Sequence, residues 1–527
     1  MPFLLRNLAL DLNEDEDLLP AKICARLSLH HDEIRYWNIV RKGVDARNKK
    51  RIKFVYTVEI MVMDEDGVRR HLLPAPDLEF FEIKPEPEFW TRTATGRLII
   101  AGMGPAGLFA ALRLTEYGLR PMLIERGKPI EERLRDVQAF WAQGLLDAES
   151  NVQFGEGGAG TFSDGKLTTR VKDENSGYVL KSLVRFGAPG DILHLAKPHI
   201  GTDLLRDTVT KMRLHLEACG IETRFRTKLT DIIATSGRID AVVLNDQVEE
   251  PCDAVILAPG NSARDTYRML MRRSVRIEGK PFAVGVRVEH LQEAINRIQY
   301  GMPADPRLPP ADYALAWNNH GTGRSAYSFC MCPGGVVVAG SSEQGGVVTN
   351  GMSGYARNSP YANSGLVVTV GPPDFGGDSP LAGMEFQRML ETKAYTAGGG
   401  NYRAPAQNLL AFLGDRKGGA PVSTYRPGVR EADLAELLPD YVTGTLREGI
   451  RYFDRKMRGF ITADACLIGV ETRTSAPVRI VRGEDFQSVT LRGLYPAGEG
   501  AGYAGGIMSA ALDGIRVADA IAARLQG

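Results

Sequence analysis

"RLIIAGMGPAGLFAALRLTEYGLRPMLIERG", residues 97–127, decides how the rest of the chain is read. An apolar run enters a glycine-rich turn. A segment with helical spacing follows, with Leu108, Ala111 and Leu112 on one side and Gly118 at its end, and "PMLIERG" is a second strand. Strand, turn, helix and strand within about thirty residues form the unit that binds a dinucleotide. The turn fits G-x-G-x-x-G. Gly102 permits the tight turn, Gly104 lets the backbone approach a pyrophosphate, and Gly107 lets the helix pack on the strand. Pro105 and Ala106 open the helix, whose N-terminus offers unpaired N–H groups and a positive dipole end to phosphates. Glu125 closes the second strand with Arg126 beside it. A carboxylate there accepts hydrogen bonds from ribose hydroxyls and repels a 2′-phosphate.

The same spacing recurs in "NVQFGEGGAGTFSDGKL", residues 151–167, where Gly155, Gly157 and Gly160 match. The flanks differ. "AESNVQ" is no buried strand and "TFSDGK" opens no amphipathic helix, so this segment is expected to be a loop wrapped round a ligand. Gly157 and Gly158 would give access, and Thr161, Phe162, Ser163, Asp164 and Lys166 would supply contacts.

The bulk properties agree with an enzyme-sized globular chain. Its 527 residues, 43% of them hydrophobic, suffice for two or three domains. Sixty-four basic residues balance 64 acidic ones, which argues against a strongly basic nucleic-acid protein. The six cysteines are scattered apart from one C-x-C, with no zinc-type spacing, so no metal site is expected and a reduced, cytoplasmic setting is. No apolar run reaches the roughly 18–20 residues of a membrane helix, and the N-terminus makes a poor signal peptide.

Working outward, residues 1–88 read as a small α+β unit. In "RIKFVYTVEIMVM", Ile52, Phe54, Tyr56, Val58 and Ile60 alternate with polar residues as a half-buried strand does. "KPEPEFW" reads as a linker. The dinucleotide unit opens a segment placed at 95–275. Residues 276–476 mix strands ("GGVVVAGSS", "SGLVVTV"), polar loops and a helix near 383–396. Residues 477–527 return to strand, glycine turn and helix in "GLYPAGEGAGYAGGIMSAAL".

That last segment resembles FAD-binding proteins of the glutathione-reductase-like superfamily. In them a late strand brings an acid to the ribityl chain and the next helix points its N-terminus at the flavin. The resemblance implies that Gly498, Glu499, Ala504, Gly505, Gly506 and Ile507 line the cofactor, with Glu499 where the superfamily usually has Asp. "DAVILAPGNSARD" is similar to the strand and turn ahead of the inserted domain, with Gly260 at the cofactor and Pro259 where Thr is common. The whole chain resembles a bacterial family of uncharacterised FAD-dependent dehydrogenases, through "GGAGTFSDGKL", "SFCMCPGG", "TNGMSGYARNSPYANSGLVV" and "YPAGEGAGYAGGIMSAA". The fold this implies is α/β: a Rossmann-like FAD-binding domain split by an inserted α+β substrate domain and preceded by the small N-terminal domain. The disulfide reductases of the superfamily carry two cysteines just after the first β–α unit; this chain has none there.

Non-covalent FAD is therefore the expected cofactor and a small organic molecule the expected substrate; the electron donor is either NAD(P)H, bound transiently in the substrate cleft, or another reductant. The expected reaction is hydride transfer at flavin N5. In "WNNHGTGRSAYSFCMCPGG", His320 is the candidate proton donor, Arg324 the anion clamp and Cys330 a reactive thiol, with Cys332 on the same strand face. Lys166 is the candidate cation beside the flavin. Asn350, Ser353, Arg357, Asn358 and Asn363 make a polar loop suited to a cleft. A rival reading takes Arg41, Lys42, Arg47, Lys49, Lys50 and Arg51 as a docking patch for RNA. Another is a flavin-binding module without turnover.

Overall fold

The structure, a computed structural model, describes residues 2–72, 76–82, 89, 96–169, 171–415 and 422–525. The opening stretch forms the strand Leu98–Ala101, the helix Pro105–Glu116 and the strand Met122–Ile124. They belong to a five-stranded sheet ordered Leu494–Pro496, Ala254–Leu257, Leu98–Ala101, Met122–Ile124 and Thr223–Arg224, every neighbouring pair parallel. The central strands are apolar at every position because both faces are covered. Ile100, Leu123 and Ile256 face the helical layer; Ile99, Ile124, Val255 and Leu257 face the opposite side. There an antiparallel sheet (Leu229–Thr235, Arg238–Leu244 and Val248–Pro251) and the helix Arg264–Arg272 cover them.

The C-terminal helix, Ile507–Arg524, packs across the helix that follows the first glycine turn. Gly514 makes the approach close, since a Cβ there would lie 2.1 Å from the Ala106 carbonyl oxygen. One strand and one long helix from the end of the chain thus complete a sheet begun near residue 98.

Between them the chain builds a seven-stranded mixed sheet. Its order is Ala316–Asn319, Arg324–Cys332, Tyr361–Val370, Phe282–Leu291, Cys466–Glu471, Ala404–Asn408 and Val429–Glu431. All pairs are antiparallel except the last, and the helix Asp440–Lys456 joins its core cluster. The chain enters and leaves this region through the antiparallel pair Ile277–Gly279 and Val478–Ile480.

The N-terminal residues form a four-stranded antiparallel sheet ordered Ile34–Asp45, Lys53–Val62, Phe3–Asp11 and Leu78–Phe80, with the helix Leu19–Leu27 packed against it. Tyr56, Val58 and Ile60 are buried on one face, as their alternation predicts. The sheet meets the rest of the chain where Lys42 exchanges backbone hydrogen bonds with His194 and Ala196. "KPEPEFW" and the 88/95 boundary lie outside the described residues, apart from Phe89. No described helix is long and apolar enough to cross a membrane.

Candidate functional site

The C-terminal edge of the parallel sheet opens into a cleft of about 410 Å³, whose far wall combines part of the seven-stranded sheet with the strand Thr349–Met352 of a separate two-stranded sheet. Gly102, Gly104, Pro105, Ala106, Glu125 and Arg126 line one end. Gly260, Gly498, Glu499, Gly505, Gly506 and Ile507 line another part. The second glycine segment contributes Gly158, Ser163, Asp164 and Lys166, and the far wall Cys330, Asn350, Glu471 and Arg473.

Two helices start at this cleft, capped by Gly104 and Gly506, and neither has a side-chain cap. Their first N–H groups therefore stay available to a ligand, with the positive dipole end facing it. Around Gly260, Gly505 and Gly506, no protein atom lies within 4 Å of where a Cβ would sit. Gly104 is similarly open: a Cβ there would meet only the Gly158 Cα, at 4.0 Å. Such a backbone-lined trough suits a long polyphosphate-containing molecule.

Charges along the cleft are mostly matched within the protein. The Glu125 carboxylate accepts backbone N–H groups from Met103, Gly127 and Gly155, each at 2.9 Å. It thereby pins the first turn to the second glycine segment. Arg126 pairs with Glu149 and Asp265. Glu499 accepts from the Asn261 side chain at 2.7 Å and the Gly506 N–H at 3.3 Å, and burial pushes its carboxyl above the usual range. Arg473 donates to Ser262 and Ser342, at 2.9 and 2.6 Å, and pairs with Glu391. Arg264, at the start of the helix beside the parallel sheet, holds the same Glu391 at 2.9 Å. Burial would raise the Glu391 carboxyl, but the two guanidiniums hold it down to about 2. Arg264 also pairs with Glu343 at 2.6 Å, so two guanidiniums meet two carboxylates; the buried Arg–Glu–Arg bridge joins one wall of the cleft to the other, and removing one member would leave an uncompensated charge.

Asp164 is clamped by Arg357, whose Nε lies 3.0 Å away, and by Ser353. Lys166 is 3.8 Å from the same carboxylate. Cys330 sits at φ +44°, inside an interruption of strand pairing between Phe329 and Cys332.

Several expected site residues lie elsewhere. Gly157, Thr161 and Phe162 support the cleft from beneath. The Gly157 N–H bonds the Met103 carbonyl, the Thr161 hydroxyl donates to the Glu156 carbonyl, and Phe162 packs edge-on to Trp141. Gly107 lies under the turn, where a Cβ would be 1.9 Å from the Gly102 oxygen, in keeping with close helix–strand packing. Ala504 packs against a small cluster of Ala106, Ala258 and Ala510 and does not line the cleft. His320 is exposed in the turn of the hairpin Ala316–Asn319/Arg324–Cys332. Arg324 is tied to Asp374 and lies over the Tyr441 ring. Neither reaches the cleft, because strand Arg324–Cys332 carries only its far end, Phe329 and Cys330, to that wall. Cys330 and Cys332 also depart from simple strand alternation: Cys332 is fully buried and Cys330 half-buried at the cleft surface. Asn350 lines the cleft, whereas Asn363 accepts from the buried Arg287. In the N-terminal basic cluster, Lys42, Arg47 and Arg51 are paired with Glu16, Asp45 and Asp11.

Residues missed by sequence reasoning include Arg473, Asn261 and Ser262. Asn261 and Ser262 directly follow Gly260 in a turn already recognised. The signal for Arg473 was a charge following the uniformly buried run Cys466–Glu471.

Three family models match parts of this chain. A family model described as an FAD binding domain matches residues 97–160, the first β–α–β unit and the second glycine segment. A model described as "FAD-dependent protein, C-terminal domain-like" matches residues 281–474, the region of the seven-stranded sheet. A domain of unknown function matches residues 4–61. An uncharacterised protein of Clostridium beijerinckii is 46% identical over 527 residues, covering 99% of this chain and 98% of its own. The chain belongs to that protein's family. The two FAD-type matches mark the chain as an FAD-dependent protein, and FAD is its cofactor. Among solved structures, the chain is similar to CtdE in complex with FAD (TM-score 0.32, 9% identity, 81% of this chain and 84% of that one). It is also similar to the flavin-dependent brominase Bmp2 (TM-score 0.36, 14% identity, 82% and 80%). Likenesses at that level say nothing of the reaction. The cleft fits the cofactor by its own features: two uncapped helix starts and a trough that side chains would fill.

Proposed function

We propose that this protein is an FAD-dependent oxidoreductase of the glutathione-reductase-like superfamily. It would transfer a hydride between flavin N5 and a small organic substrate, with NAD(P)H reaching the same cleft transiently as electron donor. The observation that carries this reading is the continuity of one cleft. It runs from the first glycine turn to the start of the C-terminal helix and is closed by Lys166 of the second glycine segment and by Cys330 and Asn350 of the far wall. Bound FAD supplies two-electron chemistry; the remaining tasks fall to the chain. The N–H groups at the two helix starts hold anionic groups of the cofactor. Glu499, positioned by Asn261, accepts hydrogen bonds from sugar-type hydroxyls. Asn350 orients a carbonyl or hydroxyl of the substrate. Lys166 holds a proton: burial opposes its charge, but the Cys332 and Cys330 sulfurs and Asp164 raise it above the usual lysine range. The Arg264–Glu391–Arg473 bridge keeps the two walls in register.

Anaerobic mixing of the yellow holoprotein with NADH or NADPH tests the proposal. Bleaching of the flavin absorbance by at least one of them is expected. A flavin that neither reduces, in protein that dithionite does bleach, overturns the nicotinamide-linked reading.

A further inference from the structure

We infer that Cys330 and Cys332 are a reversible dithiol–disulfide pair that exchanges two electrons with the FAD held in the adjoining cleft. The inference rests on the FAD-dependent redox reading above and adds a second redox centre to it. Four features of the structure carry it. Cys330 lines the cleft together with Gly104, Gly498 and Gly506, so a thiol stands on the wall opposite the cofactor-binding backbone. Lys166 lines the same cleft and acts electrostatically on both sulfurs. Its nearest carboxylate, Asp164, is 3.8 Å away and is itself held by Arg357 and Ser353, so this long ion pair leaves the ammonium able to serve also as counter-ion to a thiolate.

The third feature is the backbone. Two cysteines at i and i+2 of a regular strand point the same way but stand too far apart for an unstrained disulfide. Here strand pairing is interrupted between Phe329 and Cys332, and Cys330 has φ +44°, an unusual conformation for a residue with a Cβ. Non-glycine residues held there are strained and concentrate at functional sites. The turn brings the Cys332 thiol to 3.4 Å from the Cys330 carbonyl oxygen.

The fourth is the division of acidity. Hydrogen bonding from Cys332 lowers the Cys330 thiol to about 6; burial opposes this, and Lys166 and Arg287 add to it. The same contact and burial push Cys332 well above an ordinary thiol. One sulfur is the thiolate and the other keeps its proton, an arrangement suited to exchange. The step balances: the Cys330 thiolate and the Cys332 thiol form one S–S bond, losing two electrons and one proton, and FAD takes up those two electrons and that proton. The reverse step restores the pair.

The test is an anaerobic dithionite titration of air-oxidised holoprotein. Wild type is expected to consume twice the reducing equivalents needed for its flavin alone, and Cys330→Ser and Cys332→Ser half as many as wild type. Alkylation mapping of the wild-type protein after denaturation, which exposes the buried Cys332, reads the same point without a substitution: both thiols blocked from iodoacetamide before reduction and open afterwards, with the oxidised peptide two hydrogens lighter. Uptake matching the flavin alone, with both thiols alkylated in the oxidised protein, overturns the inference. Because dithionite needs no nicotinamide or substrate, that result is distinguishable from failure of the oxidoreductase reading.

Discussion

Residues 102–107 and 155–160 share one glycine spacing yet are held in opposite ways. The first is a backbone device: Gly102, at φ +111°, turns the chain out of a parallel strand directly into a helix whose N-terminus meets the cleft. The second leads from no strand and is built by side chains. Buried Arg133 donates to the carbonyls of Asn151, Val152, Glu156 and Gly158, and Arg213 pairs with Glu156 beneath it. The segments touch, Gly157 bonding Met103 and Gly158 lying against Gly104. The spacing of glycines therefore reports only that backbone must come close; the hydrophobic pattern on either side decides whether a strand and helix do the positioning.

The largest effects should separate these two ways of holding a loop. In Gly102→Ala the new Cβ would lie 2.2 Å from the Ala258 carbonyl oxygen, at a φ that alanine disfavours. Neither backbone can move without disrupting the sheet. Strain and overpacking together predict a loss of about 3 kcal/mol or more. The counterpart, Arg133→Met, fills most of the same volume but leaves carbonyls without donors, a loss of about 1–3 kcal/mol. Urea midpoints of the two variants check the order. A Gly102→Ala protein as stable as wild type would show that the first turn is not fixed by its backbone.

Gly104→Val sharpens the comparison at smaller cost to the fold. Gly104 has φ −75° and ψ −177°, which any residue adopts, and the space beyond it is open. The protein should unfold at nearly the wild-type urea concentration yet bind FAD at least about tenfold more weakly, a difference of about 1.4 kcal/mol. Unchanged flavin content after dialysis would mean that the cofactor does not approach this backbone.

What the sequence revealed follows the same division. Periodicity exposes elements whose burial is regular, such as the all-apolar strand Leu98–Ala101 and the alternating strand Lys53–Val62. The glycines at 104, 158, 260, 498, 505 and 506 were legible as cleft residues because a backbone-lined cleft needs glycine. Side-chain contacts between distant segments were not. Glu391 meets Arg264 and Arg473 across more than eighty residues of chain on either side, and nothing local marks it. The polar run at 317–325 misled for a physical reason: Asn, His, Gly and Thr together also make a solvated hairpin turn, which is where His320 lies.

The subtlest difference lies at the end of the second segment, which delivers a side chain where the first delivers backbone. If Lys166 serves as counter-ion to Cys330, the rate of Cys330 alkylation by iodoacetamide should rise through a midpoint near pH 6, where its thiol loses its proton. Below that pH the sulfur is protonated and slow. Lys166→Met keeps the length of the side chain and removes the charge, so the thiolate loses stabilisation and the midpoint should move upward, by about one pH unit. Hydrogen bonding from Cys332 remains in the variant, so the midpoint should stay below that of an ordinary thiol. A midpoint unchanged by Lys166→Met would assign the acidity of Cys330 to its neighbour on the strand and leave the second glycine segment a purely structural support.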